Sequence, residues 1–198
     1  MNNKEIARRE TAGFRHALRF ATREAHDGAE HQFARFHANP ASEMYWFLST
    51  QRAGLAALDL ARLDQQRGAS QVALEDLIER LDFDLTTAGV RAVQVQSERP
   101  LHNLAIDYLV LGSRLGTEVL RRALARDMAR EDMPTYFLAP STGALWQRHC
   151  RTLDDIPVDS SEAARIIEDV KHGFSLFEQA AALQDRAQSA PKTEGEPA

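Results

Sequence analysis

The chain has 198 residues, of which 43% are hydrophobic and 27% are charged, and its formal net charge is −5. These values are typical of one globular domain with a sizeable core, and the negative charge argues against nucleic acid as the main partner. No apolar run approaches the roughly 20 residues that cross a bilayer, and the polar N-terminus lacks the apolar stretch of a secretory signal. The single cysteine, Cys150, excludes an internal disulfide and fits a reducing cytoplasm.

The first predicted helix contains the residues from Leu18 to Glu30 and continues to about Phe36. Its small and apolar side chains recur at intervals of three and four residues and share one face, which is formed by Leu18, Ala21, Thr22, Ala25, Ala29 and Phe33. His26 lies one turn before Glu30, so a carboxylate can reach and orient the imidazole. An imidazole held in this way has its other nitrogen free to bind a metal, whereas the alternative is an ordinary surface or half-buried histidine.

Two helices are predicted in the next part of the chain. The second helix begins at Pro40, a residue that suits the first turn of a helix, and ends near Gly68. The third covers residues 71–81 with apolar side chains at helical spacing. We interpret residues 82–99 as a loop plus a helix rather than a strand, because the sequence shows no partner strand.

The long helix after Pro100 has one predicted buried side, which consists of Leu101, Leu104, Ala105, Tyr108, Leu111, Leu115, Val119 and Leu120. It is interrupted by Gly112 and Gly116, each of which costs a helix about 0.5–1 kcal/mol relative to alanine. The two glycines are four residues apart and leave two patches of bare backbone on one face. This pattern indicates a close crossing of two helices, a bend, or a flat ligand that presses against the backbone.

The rest of the chain completes a helical domain. A loop over 131–143 and a short helix around 145–153 precede the last helix, which Ser160 and its neighbours can cap and which ends near Arg186. Residues 1–9 are predicted to be a flexible N-terminus and 187–198 a disordered tail. The body over 10–186 is therefore predicted to be all-α, with six to eight helices packed as a single-domain multi-helical bundle.

The sequence excludes several common kinds of site. It contains no phosphate-binding Gly-x-x-x-x-Gly-Lys loop, no Cys-x-x-Cys pair and no Gly-x-Ser-x-Gly nucleophile elbow. None of the seven histidines follows a glutamate by three residues, as di-iron bundles require, and no two histidines are four apart, as in zinc proteases. What remains is a site with one histidine ligand opposite a helix with exposed backbone, which suits a planar metal macrocycle.

Four stretches of the chain resemble, in order and spacing, those of bacterial biliverdin-producing heme oxygenases. They are Leu18-Arg19-x-Ala21-Thr22-x-x-x-His26-x-x-x-Glu30, Gly112-Ser113-Arg114-Leu115-Gly116, Tyr136-Phe137-Leu138-Ala139-Pro140 followed by Trp146, and Phe174-x-x-Phe177-Glu178. The resemblance spans residues 13–183 and implies the heme oxygenase fold. It also implies that O2 and electrons from an external reductase or ferredoxin convert heme, both cofactor and substrate, to biliverdin, CO and ferrous iron.

The resemblance implies roles for individual residues. His26 matches the axial ligand of the heme iron, and Glu30 would orient it directly or through water. Gly112, Ser113 and Gly116 match the distal helix, which faces the bound oxygen.

Heme propionates require cationic partners despite the net negative charge of the chain. Arg19 and Arg23 match basic positions of the proximal helix, and Tyr108 matches a tyrosine that contacts a propionate. Arg151 lies after Trp146 at about the spacing of a further basic contact. For each arginine the alternative is a solvated surface charge.

The chain also departs from the family pattern. Thr117 stands where some members have Gly or Ala, and Leu111 stands where members often have Glu. These departures leave a non-catalytic heme sensor or carrier as one alternative. Another is a relative of the same superfamily, such as the thiamin-salvage enzymes, that acts on a different small molecule, for which Cys150 is the only thiol. Five other histidines are expected to be surface or core residues, namely His31, His37, His102, His149 and His172.

Overall fold

The structure is a computed structural model that describes residues 13–62 and 68–189. The eight α-helices within these residues are α1 (Phe14–Ala21), α2 (Arg23–Gln32), α3 (Ala34–Ala38), α4 (Pro40–Leu60), α5 (Gln71–Thr87), α6 (Asn103–Leu124), α7 (Gly143–Asp154) and α8 (Ser161–Ser189). Two short 3-10 turns, Arg130–Asp132 and Thr135–Leu138, lie between α6 and α7. The described residues form no strand, so the predicted all-α class is confirmed.

The first predicted helix is divided into three, so the prediction of one helix is wrong. At Thr22, which separates α1 from α2, the side-chain hydroxyl donates to the Leu18 carbonyl at 2.9 Å. The Leu18 carbonyl also accepts from the Thr22 amide at 3.0 Å, so the break is a local change of backbone angle at Thr22, whose φ is −105°, and a hydroxyl bond of this kind favours such bends. At Phe33 the amide donates to the Glu30 carbonyl at 3.0 Å, a tighter 3-10 bond that ends α2. The predicted shared face persists, since Leu18, Thr22 and Ala29 are buried.

The ends of several later helices differ from the predictions. Helix α4 ends at Leu60 rather than near Gly68, and residues 63–67 lie outside the described part of the chain. Helix α5 extends to Thr87, so the helical part expected within 82–99 is a continuation of α5. Helix α6 passes through Gly112 and Gly116 without a break, because its buried opposite side stabilises the helix against the cost of two glycines.

The chain ends are described only in part. The predicted flexible segment 1–9 and residues 190–198 of the predicted tail lie outside the described residues. Residues 187–189 of that tail belong to α8, which is longer than predicted. The predicted cap of α8 is confirmed at Ser160, whose hydroxyl accepts a hydrogen bond from the Ala163 amide at 3.0 Å.

Helix α8, the longest helix, is the centre of the bundle and packs against α2, α4 and α6. The ring of Phe177 fills the space beside Gly54 of α4, and Leu109 of α6 fills the space beside Gly173 of α8. Within the described residues, α2 and α6 both lie against α8 but form no extensive contact with each other. This arrangement leaves His26 of α2 and Gly116 of α6 exposed rather than packed against each other. None of the helices described has an apolar stretch long enough to cross a membrane.

Candidate functional site

The space between α2 and α6 is bordered by residues that the sequence predicts to be functional, and we call it the slot. His26 of α2 and Gly116 of α6 are both exposed, and Phe174 of α8 lies against the His26 ring. At one end, Thr22 and Tyr108 are close enough for their side chains to interact. His26 is one helical turn beyond Thr22, and Gly112 is one turn beyond Tyr108. The slot therefore runs from this closed end between the two helices.

The imidazole of His26 is accessible and held on one side only. Its side chain is 54% exposed, and its ring meets the Phe174 ring edge-on with centroids 5.6 Å apart. Nδ1 lies 3.3 Å from the Asp27 carboxylate, whereas the exposed Glu30 forms no hydrogen bond or ion pair with the ring. The structure thus brings Asp27 to the ring in the place predicted for Glu30. Contact at Nδ1 leaves Nε2 as the ring nitrogen for a metal.

The two glycines of α6 have different surroundings, and neither is required by a tight helix contact. A Cβ placed on Gly112 would lie 3.6 Å from the Trp146 ring, which is an ordinary contact distance. A Cβ placed on Gly116 would have no atom beyond its neighbouring residues and its own helix backbone within 4 Å. Leu115 and Val119, predicted to be buried, are 44% and 64% exposed on the same face of α6. A close crossing therefore does not account for Gly116, whereas Gly112 lies beside α7; the open part of this face is at Gly116, between the apolar side chains of Leu115 and Val119.

The polar side chains near the glycines are turned into the protein. The Ser113 hydroxyl donates to the Val110 carbonyl at 2.9 Å, so Ser113 can serve the slot mainly through its backbone. The Thr117 hydroxyl donates to the Ser113 carbonyl at 3.0 Å, and Thr117 is almost fully buried. Leu111 is also fully buried. The two departures from the family pattern, Thr117 and Leu111, therefore belong to the core of the bundle.

Tyr108 lies at the closed end of the slot beside aromatic and cationic groups. Its ring centroid is 5.5 Å from that of Trp146. Burial raises the pKa of the Tyr108 hydroxyl, while the side chain of Thr22 and the charges of Arg19 and Arg15 act in the opposite direction. Tyr108 is thus a neutral phenol that can donate a hydrogen bond at physiological pH.

Arginines border the same region. An open cleft of about 290 Å³ is lined by Arg15, Trp146, Gln147, Cys150, Arg151 and Asp154. Arg15 and Arg151 therefore lie near Trp146, and Arg19 lies near Tyr108. Arg23 is exposed, as Arg19 and Arg151 are, but it pairs with Asp27 at 3.5 Å along α2. We call Arg15, Arg19 and Arg151 the cationic rim. Arg15 pairs with Asp154 of the cleft at 3.7 Å, whereas Arg19 and Arg151 form no ion pair within the described residues and can bind carboxylate groups.

Sequence reasoning missed Arg15 and Asp27. Arg15 lies one turn before Arg19 on α1, so helical spacing was an available signal for it. Asp27 follows His26 directly, and neighbours in a helix do not normally face each other, so spacing favoured Glu30.

The remaining histidines have structural positions. The His102 ring caps α6 by accepting from the Leu104 amide at 3.2 Å, and the His172 Nε2 lies 2.9 Å from the Ser97 hydroxyl. His149 is almost fully buried beside Trp146, and burial lowers the pKa of its imidazole although Asp107 opposes this. Across residues 13–62 and 68–189, no three His, Cys, Asp or Glu side chains come together as metal ligands. A metal at His26 would need most of its ligands from a non-protein group.

No protein-family model and no curated protein sequence matches the chain. The structure is similar to the NO- and CO-bound crystal structures of the heme oxygenase from Neisseria meningitidis, with a TM-score of 0.67 and 19% sequence identity. The match covers 95% of this chain and 100% of that chain. The likeness therefore extends over nearly the whole molecule, and this chain has the all-α fold of that heme oxygenase.

Proposed function

We propose that the chain is a heme oxygenase, which binds heme in the slot and uses O2 and electrons from an external reductase or ferredoxin to produce biliverdin, CO and ferrous iron. The observation that carries the proposal is the accessible imidazole of His26 on one helix and the open face of Gly116 on another, with both helices held by α8. The shared fold and the four resembling stretches support it.

The residues of the slot fit a planar iron macrocycle with carboxylate side chains. His26 offers one nitrogen to the iron, which matches the finding that no multi-residue metal cluster occurs in the described part of the chain. Leu115 and Val119 provide an apolar face beside the glycines that a ring can cover. The cationic rim of Arg15, Arg19 and Arg151 provides partners for carboxylates near Tyr108.

Bound heme would supply the iron at which O2 is activated and the ring carbon that is oxidised. The chain's own residues prepare the site. The Asp27 carboxylate lies 3.3 Å from Nδ1 of His26 and can accept a hydrogen bond from it, which would favour the tautomer whose Nε2 is free to bind iron. Gly116 leaves the opposite face open, and Gly112 leaves only the Trp146 ring beside it, so that backbone groups and ordered water can approach this face.

Tyr108 and the cationic rim would fix the orientation of the ring and hence the carbon that reacts. The neutral Tyr108 hydroxyl can donate to a carboxylate, since burial raises its pKa. A single exposed arginine–carboxylate pair contributes about 0–1 kcal/mol. The orientation therefore depends on several donors acting together rather than on any one arginine.

Turnover of hemin tests the proposal. With an electron donor in air, the wild-type protein should lose the Soret band and gain the absorbance of biliverdin. The His26→Ala variant should lose this activity, because the iron would lose its protein ligand. His31→Ala changes an exposed histidine of the same helix and should behave as wild type.

Three results would contradict the proposal. An unchanged Soret band with several competent donors would remove the enzymatic function, and a stable oxygen complex without ring opening would favour the sensor or carrier. Failure to bind hemin at about micromolar concentration would favour a relative that acts on another small molecule.

A further inference from the structure

A buried arginine lies on α6 between the two glycines. Arg114 is 4% exposed, and its Nη2 donates to the Ala139 carbonyl at 3.0 Å. Its Nε and Nη1 are buried without a hydrogen-bond partner. Among the residues that the structure describes, no carboxylate forms a salt bridge with Arg114. Its positive charge is thus buried and unpaired.

The neighbours of Arg114 offset this charge only in part, because Glu118, the carboxylate one turn along α6, is paired with Arg121 and Arg122 rather than with Arg114. Its guanidinium carbon lies 5.8 Å from the centroid of the Tyr136 ring, and Tyr136 is almost fully buried. The Tyr136 hydroxyl donates to Gln51 Oε1 at 3.3 Å and lies 3.4 Å from the Thr117 hydroxyl. Burial raises the pKa of Tyr136, although Thr117 and Arg114 oppose this, so the phenol stays neutral.

Packing alone does not account for such a group. Burial of a cation without a counter-charge is costly, and an apolar side chain of similar length fills a core position at lower cost. One carbonyl and one aromatic face offset only part of the lost hydration. An unpaired buried charge next to a candidate site therefore points to an electrostatic role.

The position of Arg114 on α6 directs this role to the slot. At 3.6 residues per turn, Arg114 lies on the side of the helix opposite Gly112 and Gly116. A ligand on the glycine face is then separated from the Arg114 guanidinium by the full width of the helix with its side chains, about 12 Å. At an effective dielectric constant of about 20, a unit negative charge at that distance would be bound roughly tenfold more tightly.

We propose that Arg114 acts through α6 to give the slot a preference for small anionic ligands over neutral ones on the Gly112–Gly116 face. The inference rests on the proposed function, because the ligand would bind to heme iron opposite His26. Arg114 touches neither the ligand nor the heme in this account. It determines specificity by its charge.

Ligand binding to the hemin-loaded ferric protein tests the inference by absorbance, without turnover. Azide serves as the anion and imidazole as the neutral ligand. Arg114→Met should weaken azide binding roughly tenfold and leave imidazole binding unchanged. Arg126→Met removes an exposed cation just beyond the end of α6, and because solvent and salt screen this charge, it should change neither affinity. Equal changes in azide and imidazole binding for Arg114→Met would show a structural role and overturn the inference.

A second variant covers the case in which Arg114→Met does not fold. Tyr136→Phe removes the hydroxyl network but keeps the Arg114 charge, so azide binding relative to imidazole should be unchanged. A selective loss of azide affinity in Tyr136→Phe would assign the preference to the phenol and refute the inference. If hemin does not bind, the proposed function fails and the inference with it. If hemin is degraded but azide selectivity persists without Arg114, the inference alone fails.

Discussion

At the scale of single residues, Gly116 has no structural need to be glycine. It lies within the continuous helix α6, and a Cβ at this position would meet empty space. Glycine in a helix interior is less stable than alanine by about 0.5–1 kcal/mol. A ligand that binds against the bare backbone would explain why the chain has glycine here despite this loss of stability. Gly116 is then a residue at which stability and function have opposite requirements.

Two substitutions at Gly116 separate stability from binding. Gly116→Ala should raise the free energy of unfolding of the ligand-free protein by about 0.5–1 kcal/mol. Gly116→Leu should leave it near or above the wild-type value but weaken hemin binding at least roughly tenfold, because the larger side chain enters the slot. Denaturant unfolding and hemin titration measure the two quantities.

Gly54→Ala is the control for a glycine that packing does require. The Phe177 ring fills the space beside Gly54, so the added methyl should destabilise the protein by about 1–3 kcal/mol.

Wild-type hemin affinity in Gly116→Leu would contradict the proposal, because it would show that the heme ring does not bind against this face of α6.

Single residues also show what the sequence could predict. The motif spacing indicated His26, Arg19 and Tyr108 as candidates, and the structure places all three around the slot; their roles stay predictions. Burial of Arg114 was not predictable, because an arginine in a helix is usually exposed and only tertiary packing covers it.

At the scale of elements, the break between α1 and α2 determines where His26 lies. Thr22 ends α1, its hydroxyl bonds to the Leu18 carbonyl, and its side chain interacts with Tyr108. Helix α2 begins at the next residue and places the His26 ring against the Phe174 ring of α8. A straight helix through Thr22 would direct His26 differently, so the break is part of the site.

Thr22→Val tests the contribution of this break. The variant loses the hydroxyl, and its free energy of unfolding should change by no more than about 1 kcal/mol. Hemin affinity should fall, because α2 would shift relative to Phe174. Thr50→Val is the matched control, since Thr50 is also buried and donates to the Trp46 carbonyl at 2.9 Å in the unbroken helix α4. A similar hemin affinity in both variants would mean that the break at Thr22 does not position His26.

The element boundaries show where sequence periodicity is insufficient. It predicted the start of α4 at Pro40 and the cap of α8 at Ser160, since both depend on local chemistry. It did not predict the break at Thr22, because the apolar spacing is unchanged there and a hydroxyl bond of the same kind occurs at Thr50 within the unbroken helix α4. It also overestimated the effect of Gly112 and Gly116, which α6 tolerates because its other side is buried.

At the scale of the whole molecule, α8 holds the two sides of the slot apart. It contacts α2 through Phe174 and α6 through Gly173, which are adjacent residues. The all-α class followed from the helical periodicity, whereas the gap between α2 and α6 depends on these tertiary contacts and was accessible from sequence only through the family resemblance. The net charge of −5 likewise does not predict where positive charge collects, which is at the cationic rim of Arg15, Arg19 and Arg151.

The central claim is that the slot binds heme with His26 as the iron ligand. Resonance Raman spectroscopy of the ferrous protein tests it most directly, because a five-coordinate heme with a histidine ligand gives an iron–imidazole stretching band. The account predicts this band in wild type and in the control His31→Ala, and its loss in His26→Ala. Persistence of the band in His26→Ala, with hemin still bound, would contradict the account.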